Sequence, residues 1–164
     1  MHVLYATDEN YVRHAATSMM SLLESNKAAK ELTVHILSMG ISQKSHDSLC
    51  ALAEPYGRKV EIYELGDISQ WFDFSFNAGG FAQSTLARLF MARVLPESVD
   101  RVIYIDCDTL VLEDLQDMFK MDMGHNYLGM VAEPTANKGR RKQLDMPDSQ
   151  PYFNAGILLV NLKL

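Results

Sequence analysis

Short apolar runs alternate along the chain with longer stretches in which apolar residues return every third or fourth position. The first run is "HVLYA" (2–6), followed by the polar turn "TDEN". Val12, Ala15, Ala16, Met19, Leu22 and Leu23 then share one face of a helix predicted over 11–25, because residues three and four apart lie above one another on a helix. "LTVHIL" (32–37) predicts a second strand. "SQKSHDSLCALAEPY" after it predicts a helix with Ser42 as N-cap and Pro55 close to its end. "KVEIYEL" (59–65) alternates as a half-buried strand does. "STLARLFMARVL" (84–95) predicts a helix ending before Pro96, and "RVIYI" (101–105) a further strand. "YLGMVA" (127–132) and "FNAGILLVNL" (153–162) are two more strand candidates.

Strands and helices in this order imply βαβ units, and so an α/β fold with a doubly wound, mostly parallel sheet flanked by helices. Ligands of such sheets bind at the carboxyl ends of the strands. Polar residues that directly follow a strand are therefore the ones to weigh for chemistry. No repeat, low-complexity tract or linker breaks the pattern, and 164 residues suffice for one domain over 1–164 with a full core. The least regular segment is "GDISQWFDFSFNAGGFAQ" (66–83), which reads as an irregular connection or as a loop beside the site.

Charge removes some partners. With 15 Lys and Arg against 21 Asp and Glu, the net charge of −6 argues against nucleic acid, since a phosphate-binding surface needs a basic stripe. The one dense basic cluster, Lys138-Gly139-Arg140-Arg141-Lys142, reads as a solvated loop or helix face. Cys50 and Cys107 give neither a disulfide framework nor metal-ligand spacing, which suits a reducing compartment. "MHVLYATDENY" enters a strand at once, without the segments of a signal peptide, and no stretch is long enough to span a bilayer. A cytoplasmic location, with no transmembrane segment, is the expectation.

The stretch "VIYIDCDTLV" (102–111) carries the strongest chemical signal. In an extended strand residues i and i+2 point to the same side, so Asp106 and Asp108 would project together with Cα atoms roughly 6.5–7 Å apart. Like charges at that separation repel, and a divalent cation resolves the conflict. Carboxylates are hard ligands suited to Mg²⁺ or Mn²⁺, with water and substrate phosphate completing the shell. Two enzyme classes use such a pair. Haloacid-dehalogenase phosphotransferases have an apolar strand followed by D-x-D-x-T/V, but here Thr109 stands one position early and Leu110 occupies the Thr/Val place. Nucleotide-sugar glycosyltransferases use D-x-D to hold a metal on the donor diphosphate.

Two flanking segments bear on the choice. In "YATDENYV" (5–12), Asp8 or Asn10 suits either a helix cap or a nucleoside site. In "PYFNAGILLVNL" (151–162), Asn154, Ala155 and Gly156 interrupt a strand-like run, which suits either a bulge or the close approach of a ligand.

Taken together, "YATDENY", "STLARLF" (84–90), "RVIYIDCDTLV" (101–111), "LGMVAE" (128–133) and "YFNAGILLVNL" (152–162) resemble glycosyltransferase family 8 in content and order. That family includes bacterial lipopolysaccharide galactosyl- and glucosyltransferases and, more distantly, glycogenin. The resemblance implies a GT-A fold, a Rossmann-like mixed sheet, and a metal-dependent retaining transferase. Such an enzyme moves a hexose from UDP-glucose or UDP-galactose to a glycan or glycolipid acceptor. By the same resemblance Ala6, Asp8 and Asn10 fall where uridine binds, and Arg88 near the donor sugar and diphosphate. Asp106 and Asp108 fall on the pair that binds Mn²⁺ or Mg²⁺. Asn154 falls in the sugar or acceptor pocket, and Glu133 at a position near the reacting centre that the family often fills with Asp. The family continues into a further acidic segment and a His in an H-x-x-G-x-x-K-P-W type motif, the third metal ligand. None of the five histidines of this chain has that context. The expectation is an N-terminal portion, active as a transferase or confined to binding nucleotide-sugar.

Overall fold

The structure, a computed structural model, describes residues 1–72, 83–133, 138–147 and 149–164. The strands are β1 (His2–Thr7), β2 (Thr33–Ser38), β3 (Lys59–Glu64), β4 (Arg101–Ile105), β5 (Leu128–Ala132) and β6 (Phe153–Asn161). The α-helices are α1 (Val12–Ser25), α2 (Gln43–Ala53), α3 (Gln83–Ala87), α4 (Met91–Val94), α5 (Gln116–Lys120) and α6 (Lys138–Gln143). The strands form one six-stranded sheet in the order β3-β2-β1-β4-β6-β5. The pairs β1–β2, β1–β4 and β2–β3 run parallel. β6 runs antiparallel to both β4 and β5.

Side-chain alternation divides the core into two layers. Val3, Tyr5, Val34, Ile36, Ile103, Ile105 and Leu159 pack on one face with Val12, Ala15, Met19, Leu22 and Leu23 of α1 and Leu49 and Ala53 of α2. Leu4, Ala6, Leu37, Val102, Tyr104, Leu158 and Val160 pack on the other with Ala87 and Met91 of the 83–94 helical segment. A strand covered on both faces reads as a continuous apolar run, which is why "VLY" and "VIYI" carry no polar residue. α1 needs no side-chain cap of its own, because Asp8 receives the amides of Asn10 and Tyr11 at 2.9 and 3.0 Å. Ser42 caps α2 as its position predicts, its hydroxyl accepting from the Ser45 amide.

Two expectations change. The helix over 84–95 is not continuous: a 3-10 turn over Arg88–Phe90 separates α3 from α4, and the Thr85 carbonyl accepts from Arg88 Nε at the break, at 2.8 Å. Asp106 and Asp108 do not lie in an extended strand. The β1–β4 pairing ends at Tyr104 and the β4–β6 pairing at Ile105. Beyond the ladders the chain turns, and Thr109 Oγ1 closes the turn on the Asp106 carbonyl at 2.9 Å.

In the irregular 66–83 segment, residues 73–82 lie outside the described ones. The part before them forms a 3-10 turn over Ile68–Trp71. Trp71 and Phe72 each set their rings edge-on against Phe90, with centroids 5.0 Å away. The basic cluster 138–142 lies in α6. Among the described residues no helix is long and apolar enough to cross a membrane.

Candidate functional site

The carboxyl ends of β1, β4 and β5 and the amino end of β6 share one edge of the sheet, because β6 runs against its neighbours. Hydrogen bonds join the segments there. At the end of β1, the buried Ala6 accepts from the Cys107 thiol through its carbonyl at 3.2 Å. Burial pushes the Cys107 thiol up to about 12, which keeps it protonated and inert. Asp8 uses Oδ1 for its own turn, while Oδ2 accepts from Ser84 Oγ at 3.3 Å. Asn10 is exposed beside it. Glu9, between the two, turns the other way and accepts from the Ser42 amide, Ser42 Oγ and Ser45 Oγ at 2.7, 3.0 and 2.9 Å.

Asp106 stands at the centre of the edge. Its amide donates to the Gly156 carbonyl at 2.7 Å. The Tyr104 hydroxyl donates to Asp106 Oδ1 at 2.6 Å, and Arg88 Nη2 lies 2.9 Å from the same oxygen. Arg88 is the more enclosed partner, its side chain 12% exposed against 32% for Asp106. The guanidinium also donates to the Ala155 carbonyl at 2.6 Å and lies 4.5 Å over the Tyr104 ring. Burial raises the Tyr104 hydroxyl well above its ordinary value, with Arg88 opposing, so the phenol remains a proton donor.

The start of β6 is both a bulge and a wall of this site. β5 pairs Met130 with Leu158 but the next residue, Val131, with Asn154, so residues 155–157 have no partner on β5. Asn154 Oδ1 accepts from the Gly156 amide at 2.7 Å, which leaves the side-chain amide of this exposed residue without a partner among the described residues. Glu133 follows β5 directly, and its amide bonds the Tyr152 carbonyl at 2.7 Å.

The structure thus joins Ala6, Arg88, Asp106 and the Asn154–Gly156 segment through direct contacts or one intermediary, and ties Asp8 to α3, next to Arg88, through Ser84. Asn10, Asp108 and Glu133 lie at the same edge without a contact to Asp106 in the bonds above. Three participants were not predicted. Ser84 sits inside a quoted motif but its partner is 76 residues away, a pairing that only folding creates. Tyr104 carried a signal, since it stands at i−2 from Asp106 and shares its side of the strand. Ala155 contributes a carbonyl, which side-chain chemistry does not reveal.

The donor set suits a hard divalent cation. Asp106 Oδ2 makes no hydrogen bond among the described residues, whereas Oδ1 has two donors. A Cβ built on Gly156 would stand 2.9 Å from Oδ2, so the glycine keeps that oxygen open. Asp108 is exposed and accepts no hydrogen bond from a described residue. Two carboxylates with open oxygens fit Mg²⁺ or Mn²⁺, which commonly take one or two protein carboxylates and complete the shell with phosphate and water. Among the described residues no group of three or more His, Cys, Asp or Glu could hold a metal alone.

Comparison with known proteins places this edge in context. The sequence model of glycosyl transferase family 8 matches residues 2–164. General stress protein A of Bacillus subtilis is 26% identical over 164 residues, covering 99% of this chain and 56% of that protein. Glycosyltransferase GlyE of Streptococcus pneumoniae is 31% identical over 162 residues, covering 98% and 36%. Among solved structures, galactosyltransferase LgtC in complex with donor and acceptor sugar analogues superimposes with a TM-score of 0.85 at 28% identity, covering 99% of this chain and 58% of that one. The chain spans little more than half the length of two of these proteins and about a third of the third.

Proposed function

The chain belongs to glycosyl transferase family 8, and on that premise we propose that it is the nucleotide-sugar-binding part of a metal-dependent, retaining hexosyltransferase. The donor is UDP-glucose or UDP-galactose, and the acceptor a glycan or glycolipid of the lipopolysaccharide kind. The observation that carries the reading is the Arg88 bridge. One guanidinium spans Asp106 on β4 and the Ala155 carbonyl on β6, which sets a cation between the acidic pair and the wall of Asn154.

In this reading the Ala6 backbone, Asp8 and Asn10 receive uridine, and Arg88 meets the diphosphate and sugar. Arg88 suits the task because a guanidinium matches phosphate oxygens through paired donors. Asp106 and Asp108 hold Mn²⁺ or Mg²⁺, which when bound neutralises charge on the leaving UDP. Asn154 offers its free amide hydrogens to a sugar hydroxyl. Glu133, which directly follows β5, is assigned a place near the reacting centre. A nucleotide-sugar-binding module without turnover is the second reading, since Arg88, Asp106 and Asp108 would serve donor binding by themselves.

Calorimetry with UDP tests the assignment. Mn²⁺ strengthens UDP binding to the parent chain, and Asp106→Ala or Asp108→Ala removes that gain. Metal-independent binding, equal in all three proteins, contradicts the metal assignment. Release of UDP from UDP-glucose or UDP-galactose with Mn²⁺ then separates transferase from binding module.

A further inference from the structure

Asp106 is held in an asymmetric way. Tyr104 and Arg88 both engage Oδ1, at 2.6 and 2.9 Å, and no described residue donates to Oδ2. A carboxylate free to rotate would exchange its two oxygens between these donors. Here a rotation is opposed by Tyr104, whose ring is 1% exposed within the second core layer beside Leu158 and Met91. Its hydroxyl makes one hydrogen bond among the described residues, and that bond is to Asp106. Arg88 has two further acceptors, Thr85 and Ala155, and a role at the donor. The Tyr104 hydroxyl has no other partner among the described residues.

The opposite side of the carboxylate is cleared rather than filled. A Cβ at Gly156 would lie 2.9 Å from Asp106 Oδ2 and 3.0 Å from Asn154 Oδ1. The first contact forces a shift and the second is tight, while the Asp106 carboxylate is tied to Tyr104 and Arg88 through Oδ1 and Asn154 Oδ1 accepts from the Gly156 amide at 2.7 Å. A side chain at 156 would therefore cover Oδ2 or force the carboxylate off Tyr104.

We propose that Tyr104 is a positioning residue for the metal site, tying Asp106 by Oδ1 so that Oδ2, kept open by Gly156, is the oxygen presented to the cation. The inference rests on Asp106 being a metal ligand. Partners of a ligating carboxylate tune metal affinity by fixing the ligand's orientation. Tyr104→Phe removes only the hydroxyl and keeps the ring under Arg88. Gly156→Ala keeps the hydroxyl and closes the gap.

The test uses the 164-residue chain with saturating UDP and counts free Mn²⁺ by its electron paramagnetic resonance signal. Tyr104→Phe weakens Mn²⁺ binding about 10- to 100-fold, and Gly156→Ala does so to a similar degree. The far-ultraviolet circular dichroism spectrum and thermal midpoint of Tyr104→Phe stay close to those of the parent, which a general loss of structure would not allow. A folded Tyr104→Phe chain with Mn²⁺ affinity within about twofold of the parent, while Asp106→Ala has lost it, overturns the positioning role alone. Parent-level Mn²⁺ binding by Asp106→Ala, or none by the parent, overturns the ligand assignment and the positioning role with it.

Discussion

Tyr63 has one hydroxyl proton, and it goes to Glu61 Oε2 at 2.6 Å. Its oxygen must then accept from His35 Nδ1 at 3.0 Å, so neutral His35 carries its proton on Nδ1. His35 Nε2 is left as an acceptor, and His2 Nδ1 donates to it at 2.9 Å. This row crosses β3, β2 and β1 with every proton assigned. A further proton on His35 enters a site of 1% exposure. Burial, and next the charge of His2, lower the His35 pKa from 6.5 to about 4, with Glu61 opposing. Between those values the unfolded chain binds the extra proton and the folded chain does not, so stability rises with pH across the interval. It is fully present above pH 6.5 and is lost as pH falls toward 4, by about 3 kcal/mol at most. Denaturant melts of the parent and His35→Gln between those pH values check this. The parent weakens steeply on acidification, and the variant shows a flatter profile.

At the scale of elements, Glu9 links the loop after β1, the proposed nucleoside site, to α2. Its carboxylate takes the place of an anion at the helix N-terminus, where amides lack intrahelical partners. The Ser42 backbone and Ser45 hydroxyl hold it below the usual carboxylate range. Because Glu9 lies between Asp8 and Asn10, losing the anchor frees the loop that would meet uridine. Glu9→Ala therefore weakens UDP binding several-fold in calorimetry while leaving the far-ultraviolet circular dichroism spectrum intact, and Glu9→Gln, which still accepts, loses less. Equal losses in both variants would point to charge rather than anchoring. Much of this scale was legible. Ser42 announced the start of α2, and β1 and β4 declared themselves because strands buried on two faces are near-continuous apolar runs, whereas β2 did so despite the buried His35. The direction of β6 was not legible, since a strand's own pattern is the same read either way. Nor was the turn at Asp106–Asp108: nothing local to "IDCDT" states that both neighbouring ladders stop at Tyr104 and Ile105. The acidic pair, Arg88 and Asn154 were singled out by motif, and the fold brings Arg88, Asp106 and the Asn154–Gly156 segment together. Ser84 and Tyr104 escaped because their part is defined by contact.

For the molecule as a whole, the strand order sets which parts must unfold to release a ligand. β1 lies inside the sheet between β2 and β4, and Val3, Leu4 and Tyr5 are fully buried. β3 is an edge strand, exposed at both ends and half-buried between. Amides of β1, β2 and β4 are expected to exchange with solvent only through global unfolding, those of β3 also through local opening. A ligand bound at the carboxyl edge slows only those openings that expel it. With Mn²⁺–UDP at 100 times its Kd, the folded state gains about 2.7 kcal/mol, and amides limited by global unfolding slow about a hundredfold. Amides of β1 and β4 follow that factor, because these strands lead directly into Asp8 and Asp106 of the proposed site. β3 reaches the site only through β2, so its local openings leave the ligand in place and its exchange stays near the free rate. Hydrogen exchange read by mass spectrometry separates the two groups. Equal slowing of β3 and β1 would mean that the sheet opens as one unit, and that binding is felt across all its strands rather than at the edge where the motifs meet.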